Sequence, residues 1–357
     1  MSSPSPTNRL PPHLPAVRGG LLALSAAVLF GISTPLVQKF GSGVGAFTTA
    51  ALLYAGAAIA GALLRQRVER EARVVSGDIR RLLAMAAAGA VIGPVALAWG
   101  LQRTSGTSAS LMLTLEALFT AVLAWRMYHE TMGRRVWAAM LLLFAGGVLL
   151  VLDEAGDGGV RVWGLLAVIV ATAAWGLDNA LSRPLAERDP GQVVLAKAVL
   201  GAIATALLAA GFGEPLPAGG AALALLAVGA TGYGLSLRFY LLAQRAFGAA
   251  RTGSVFAFAP FIGAALAVAI GDQSTSWLMA LGSMLMLAGV VLHLAESHGH
   301  EHGHEATEHE HAHRHDDGHH GHVHVPMPTG AHSHRHRHEP LRHAHPHVPD
   351  AHHTHRH

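Results

Sequence analysis

The chain has 357 residues, of which 51% are hydrophobic and only 13% are charged. Soluble domains average about 25% charged residues, so this composition argues against an ordinary soluble enzyme. The chain has no Cys, which excludes disulfides, thiolate metal sites and Cys nucleophiles. The formal net charge of +3 does not indicate nucleic-acid binding, because the basic residues lie between apolar stretches rather than on one face. We therefore expect no nucleic-acid partner.

A Ser- and Pro-rich segment, residues 1–18, opens the chain and is predicted to be a flexible arm. A bilayer core needs about 20 apolar residues per helix. Stretches of that length follow at residues 20–38, 44–64, 80–101, 106–126, 135–152, 162–182, 191–213, 219–241, 251–271 and 276–295. The pattern predicts an all-α integral membrane protein with ten transmembrane helices, whose surrounding partner is the lipid bilayer.

The placement of Lys and Arg predicts the orientation of these helices. With a cytoplasmic N-terminus, fifteen Arg residues fall in inner loops and flanks, against Lys39, Arg103 and Arg161 on the outer side. An even number of helices then puts the C-terminus in the cytoplasm as well. We expect a multi-pass protein of a bacterial-type cytoplasmic (inner) membrane.

The two halves of the apolar region repeat one another. Gly20–Ala23 leading to Phe30-Gly31 matches Gly164–Ala167 leading to Trp175-Gly176, and Gln102-Arg103 matches Gln244-Arg245, at an offset that stays between 142 and 145 residues. Each repeat holds five helices, residues 19–152 and 162–295. An odd number of helices inverts the second repeat relative to the first, which is a signature of secondary transporters.

The stretches Leu115–Thr120 to Glu130 and Ala259–Phe261 to Asp272, together with the five-plus-five repeat, carry a family resemblance. The chain resembles the drug/metabolite transporter superfamily, specifically the proteins with paired EamA domains. The resemblance implies transport across the membrane and covers about residues 19–295. One departure is Glu116, which stands where the second repeat has Pro260 and where the family often has proline.

Few charges interrupt the apolar stretches, and each is a candidate functional residue because a charge in the bilayer is costly. The candidate substrate or coupling residues are Glu116, Asp178, Asn179, Lys197 and Arg238. Glu116 is either a coupling or substrate-site carboxylate, or a carboxylate permanently paired with another helix. Asp178 can pair with Lys197 or with Arg238, as a fixed structural bridge or as an inner gate or anion-recognising site. Neighbours that could line the same cavity are Trp99, Trp175, Tyr233, Tyr240, Ser33, Thr34 and Gln38.

A His-rich tail, residues 296–357, follows the last helix and holds 23 of the 26 His. Imidazole suits zinc, nickel, cobalt and related ions, so we predict a transition-metal-binding tail. The predicted metal ligands are His300, His302, His304, His309, His311, His313, His315, His332, His334, His336 and His338. The tail has few large apolar residues and is predicted to be disordered without metal. A pH switch through protonation of the His residues is the alternative.

The leading hypothesis is a secondary transporter that moves a small polar metabolite by alternating access, with the tail binding metal and regulating it. One alternative is a zinc, nickel or cobalt transporter fed by the tail, and another is a non-transporting, membrane-anchored metal sensor or store. No phosphate-binding loop motif is present. We expect no enzymatic activity and no organic cofactor. The sequence is compatible with a monomer and with a homodimer.

Overall fold

A computed structural model describes residues 13–65, 74–128, 132–156, 159–185, 188–247, 249–272, 276–294, 298–304, 307–313, 332–338 and 341–347. Within them lie ten helices that are long and apolar enough to cross a membrane. The helices are α1 (Arg18–Gly41), α2 (Ala46–Leu63), α3 (Ser76–Leu101), α4 (Gly106–Tyr128), α5 (Arg134–Gly156), α6 (Gly159–Ser182), α7 (Gly191–Gly211), α8 (Gly219–Ala243), α9 (Thr252–Ala269) and α10 (Trp277–Leu294). The prediction of ten helices is confirmed, with ends within a few residues of the apolar stretches.

Because the number of these helices is even, the start of α1 and the end of α10 lie on one side of the bundle. We call this side the terminal side and the opposite side the far side. Helices α1, α3, α5, α7 and α9 run from the terminal side to the far side, and the other five run back.

Four of the helices are irregular, in two matching pairs. Helix α3 contains a π-helical segment, Ala87–Ile92, and α8 contains another, Gly229–Leu235. Helix α4 consists of two segments, Gly106–Met112 and Leu115–Tyr128. Helix α9 also consists of two segments, of which the first extends back to Ala249: Ala249–Phe256 and Ala259–Ala269. A two-residue turn separates the segments in each helix. The members of each pair occupy the same place in their repeats, so the repetition extends to the backbone. Pro260 reinforces the break in α9, because it has no N–H for the preceding turn.

The helices pack as pairs drawn from the two repeats. Helix α5 packs along α10, α2 along α7, and α1 along α8 and α9. A Cβ on Gly146 would lie 2.7 Å from the carbonyl oxygen of Gly282, so glycine lets α5 and α10 approach closely. Large apolar side chains such as Leu63, Phe144 and Leu207 are exposed on the outside of the bundle. In a ten-helix membrane protein these side chains contact the lipid bilayer.

Four short strands lie in the His-rich tail: β1 (His298–His304), β2 (Thr307–His313), β3 (His332–His338) and β4 (Leu341–His347). Strand β1 pairs with β4 and β2 with β3, both antiparallel. The registers set His opposite His, as in His300↔His345 and His311↔His334. The predicted disorder of the tail in the absence of metal stays a prediction.

Candidate functional site

Four of the five predicted site residues meet on three neighbouring helices. Glu116 is the second residue of the second segment of α4, which follows the turn at Leu113 and Thr114. Asp178 and Asn179 lie side by side on α6, and Lys197 lies on α7. Helix α6 packs against α4 and α3, and α3 packs against α7, which brings the four polar side chains together within the membrane-spanning part.

Glu116 is bound across the boundary between the repeats. The Nδ2 atom of Asn179 donates to Oε1 of Glu116 at 2.7 Å, and it lies 3.4 Å from Oγ1 of Thr120, one turn further along α4. Glu116 is half-buried and Asn179 is exposed. This hydrogen bond therefore joins a carboxylate of the first repeat to an amide of the second at an accessible position.

The second polar pair is an ion pair between Asp178 and Lys197. Nζ of Lys197 donates to Oδ2 of Asp178, and both side chains are largely buried. The other carboxylate oxygen, Oδ1, is buried and has no hydrogen-bond partner among the described residues. A buried hydrogen-bond acceptor without a partner costs free energy. A bound molecule that donates a hydrogen bond to Oδ1 would recover that cost.

The ion pair sits directly on the backbone of Gly89, in the π-helical segment of α3. A Cβ on Gly89 would overlap the Asp178 carboxylate and would lie 2.8 Å from Nζ of Lys197. The carbonyl oxygen of Gly89 accepts from Oη of Tyr54 and, at 3.0 Å, from Nε1 of Trp175. Glycine is therefore required here for space, and the π segment turns its carbonyl toward two side-chain donors.

An aromatic cluster adjoins this carbonyl. The ring centroid of Phe30 lies 6.3 Å from that of Trp175 and 6.1 Å from that of Tyr233. The Tyr54 and Tyr233 rings are 5.8 Å apart. Helices α1, α2, α6 and α8 thus place rings next to the ion pair, which gives the site an apolar wall beside its charges.

Arg238 does not join the site. It lies on α8 and, within the described part of the chain, Asp178 pairs with Lys197 and not with Arg238. Of the predicted neighbours, Trp175 and Tyr233 belong to the aromatic cluster. Trp99 instead stacks under the guanidinium of Arg103, 3.7 Å from its ring centroid, near the far end of α3. Gln38 donates to the carbonyl oxygens of Leu101 and Thr104 and is also part of the far side.

Sequence reasoning missed Tyr54, Thr120 and the role of Gly89. Tyr54 lies in an apolar helix with no polar neighbour to mark it, and Gly89 is one of 41 glycines in the chain. The available signal was the repeat: the Gly-rich stretches of α3 and α8 stand at matching places, and both are π-helical in the structure.

An apolar crevice of about 290 Å³ lies apart from the charged pairs. It is lined by residues of α4, α9 and α10, including Thr107, Leu111, Ala264 and Met279. Its walls have almost no polar surface, so it does not suit a small polar molecule.

The metal-ligand prediction concerns the tail. Ten of the eleven predicted His ligands lie in the strands β1, β2 and β3, and His315 lies outside the described residues. Among the described residues, no group of three or more His, Cys, Asp or Glu is arranged to hold a metal ion. The predicted metal binding of the tail stays a prediction.

Comparison with known proteins agrees with this architecture. The EamA-like transporter family matches residues 17–152 and 162–295. A protein of Methanothermobacter thermautotrophicus described as an uncharacterized transporter is 28% identical over 299 residues, which cover 77% of this chain and 85% of that protein. A crystal structure with 20% sequence identity has the same fold, with a TM-score of 0.57 over 77% of this chain and 94% of its own. With ten apolar helices and two matched repeats, the chain belongs to the EamA-like transporter family.

Proposed function

We propose that this membrane transporter of the drug/metabolite type is a secondary transporter that moves a small polar metabolite by alternating access. The two polar pairs, Glu116–Asn179 and Asp178–Lys197, form its substrate or coupling site. The observation that carries the proposal is the Glu116–Asn179 hydrogen bond of 2.7 Å, because it joins the repeats at a carboxylate that the membrane otherwise disfavours.

The same groups favour a substrate with hydrogen-bond donors. Oδ1 of Asp178 is a buried acceptor without a partner, and Glu116 adds a second carboxylate. The adjoining rings offer apolar surface to the rest of the molecule. A small metabolite with a donor group and an apolar part satisfies both features.

Transport of a metal ion by the helices is the second candidate, and the two polar pairs support it less. Glu116 and Asp178 supply oxygen ligands, but the ammonium of Lys197 contacts one of these carboxylates and repels a cation.

We also propose that the protein lies in a bacterial-type inner membrane with both termini in the cytoplasm, on the basis of the Arg distribution.

The test is flux into proteoliposomes for zinc, nickel and a panel of amino acids and other small polar metabolites. It compares the full chain with a chain ending at Ser297 and with Glu116→Gln, which keeps the shape of the side chain but removes its charge. We expect flux of a metabolite, retained without the tail and lost in Glu116→Gln. Metabolite flux of Glu116→Gln at the wild-type rate and with the wild-type pH dependence would refute the role of Glu116. Metal flux without the tail that is lost in Glu116→Gln would instead favour the metal transporter.

We further propose that the His-rich tail binds a transition metal and regulates transport. Its support is the spacing of His at every second residue and the registers that set His opposite His in both strand pairs. Titration of the full chain and of the chain ending at Ser297 with zinc and nickel at neutral pH is expected to show uptake that disappears with the tail. Equal uptake by the two chains would contradict this role and leave the pH switch as the interpretation of the tail.

A further inference from the structure

The two broken helices, α4 and α9, are closed on the far side and separated on the terminal side. Their far-side segments, Gly106–Met112 and Ala259–Ala269, pack against one another. Every residue from Gly106 to Leu115 is buried, whereas residues 116–128 of α4 are half-buried or exposed. The terminal-side segments, Leu115–Tyr128 and Ala249–Phe256, make at most marginal contact in the described part of the chain. Among the described residues, α4 and α9 are therefore tightly packed against each other on the far side of Glu116 and not on its terminal side.

One carboxylate joins the two sealed segments. Oδ2 of Asp272, just after α9, accepts from the backbone N of Thr107 at 2.8 Å and from its Oγ1 at 3.0 Å. Thr107 is buried in the first turn of α4. A carboxylate that accepts from a helix N-terminus is stabilised by the unpaired N–H groups and the helix dipole, so these are strong contacts.

The turns inside α4 and α9 separate these segments from the rest of their helices. The break in α4 at Leu113 and Thr114 has its counterpart in α9 at Ala257 and Phe258. At each break the backbone hydrogen bonds include i→i−3 bonds, such as Thr114 N to the Leu111 carbonyl in α4 and Phe258 N to the Val255 carbonyl in α9. A 3₁₀-type stretch of this kind inside a helix often marks a hinge, at which the angle between the two segments can change. The far-side segments can therefore move apart while the segments that carry the polar site keep their neighbours.

A second far-side carboxylate makes a similar contact in a different setting. Glu214, after α7, accepts from the backbone N of Thr48 at 2.7 Å and of Phe47 at 3.3 Å, in the first turn of α2. Helices α2 and α7 are unbroken and pack extensively. The Glu214 contact therefore ties together helices that already hold each other, whereas the Asp272 contact spans two broken ones.

We propose that Asp272 and Thr107 form a latch that holds the far side of the polar site closed, and that the transporter opens on that side by breaking these two hydrogen bonds. The proposal rests on the alternating access proposed above. Asp272 is a positioning residue in it, because it acts on the access route and does not belong to the polar pairs.

The absence of Cys from the chain makes the latch directly testable. Ser110 is fully buried on the far-side segment of α4, and its Oγ would lie 3.0 Å from a Cβ on Gly263 of α9. The single substitution Ser110→Cys introduces a thiol of nearly the same shape behind the latch. The full chain in lipid nanodiscs is treated with a membrane-impermeant maleimide, which reaches both sides, and the labelling rate is measured.

We expect slow labelling of Ser110→Cys and a rate at least about tenfold faster when Asp272→Ala is added, because the variant loses hydrogen bonds to a charged group. Thr107→Val removes only the hydroxyl contact and should give a smaller acceleration, which keeps the test usable if Asp272→Ala does not fold. Glu214→Ala is the matched control. It loses a similar contact and should leave the labelling rate unchanged.

Labelling that neither Asp272→Ala nor Thr107→Val accelerates would overturn the latch. Equal acceleration by Glu214→Ala would overturn it as well, because general loosening of the protein would then explain the result. The assay uses no substrate. A failure of the flux experiment and a failure of the latch are therefore separate outcomes.

Discussion

Gly89→Ala tests the packing of the ion pair on the backbone of α3. The added Cβ would overlap the Asp178 carboxylate and lie 2.8 Å from Nζ of Lys197, whereas ordinary contacts of a Cβ begin at 3.4 Å. The pair must shift, and the hydrogen bonds of Tyr54 and Trp175 to the Gly89 carbonyl restrict how far the backbone can yield. Overpacking of a filled interior costs about 1–3 kcal/mol, so we expect the free energy of unfolding to fall by that amount.

The measurement is denaturant unfolding of the purified protein in detergent, arranged as a double-mutant cycle. Gly89→Ala is made in the wild type and in the double variant Asp178→Ala/Lys197→Ala, which removes both overlapping groups. The decrease in unfolding free energy caused by Gly89→Ala should largely disappear in the double-variant background, because the effects of substitutions at residues in contact are not additive. Gly61→Ala is the matched control, since its Cβ would lie 3.5 Å from Leu195, an ordinary contact. A loss of the same size in both backgrounds, or an equal loss in Gly61→Ala, would refute the reasoning.

Three further substitutions, alone or combined, test the choice of partner for Asp178. Lys197→Met leaves a buried carboxylate without its ion pair and is expected to cost about 3–5 kcal/mol of unfolding free energy, whereas Asp178→Asn/Lys197→Met should cost much less. Arg238→Met, in the same unfolding assay, should cost less than Lys197→Met because Arg238 does not pair with Asp178 in the described part of the chain. The pairing would be contradicted if the double variant were no more stable than Lys197→Met, or if Arg238→Met were the more damaging change.

The helices were predictable because the bilayer requires about 20 apolar residues per span, which the sequence displays as ten stretches with short polar linkers. The meeting of Glu116, Asp178, Asn179 and Lys197 could be expected only in part. A buried carboxylate needs a partner of opposite charge, but the sequence offered two such partners for Asp178, namely Lys197 and Arg238. The choice between Lys197 and Arg238 depends on how α3 packs against both α6 and α7, which composition does not encode.

Other features left no readable signal. The break in α4 at Leu113 and Thr114 contains no Pro or Gly, so nothing marked it except its counterpart beside Pro260 in α9. Asp272 was named only as the end of a stretch that carries the family resemblance, and its contact was not predictable because its partner Thr107 is 165 residues away. In the tail, the alternation of His indicated extended backbone, but not which segments pair or in which register.

The matched irregularities of α3 with α8 and of α4 with α9 show that the two repeats share their backbone, whereas their charges differ. With Gly31 aligned to Gly176, Asp178 and Asn179 correspond to Ser33 and Thr34 in the first repeat, and Glu116 corresponds to Pro260. The helices therefore repeat, but the ionic side chains stand at only one of each two related positions. In the proposed site, a polar molecule between the repeats would meet carboxylates from α4 and α6, but a proline on α9 and hydroxyls on α1 at the related positions. The two ends of such a molecule would then not be interchangeable, and the proposed site would favour a single binding orientation although the helices around it repeat.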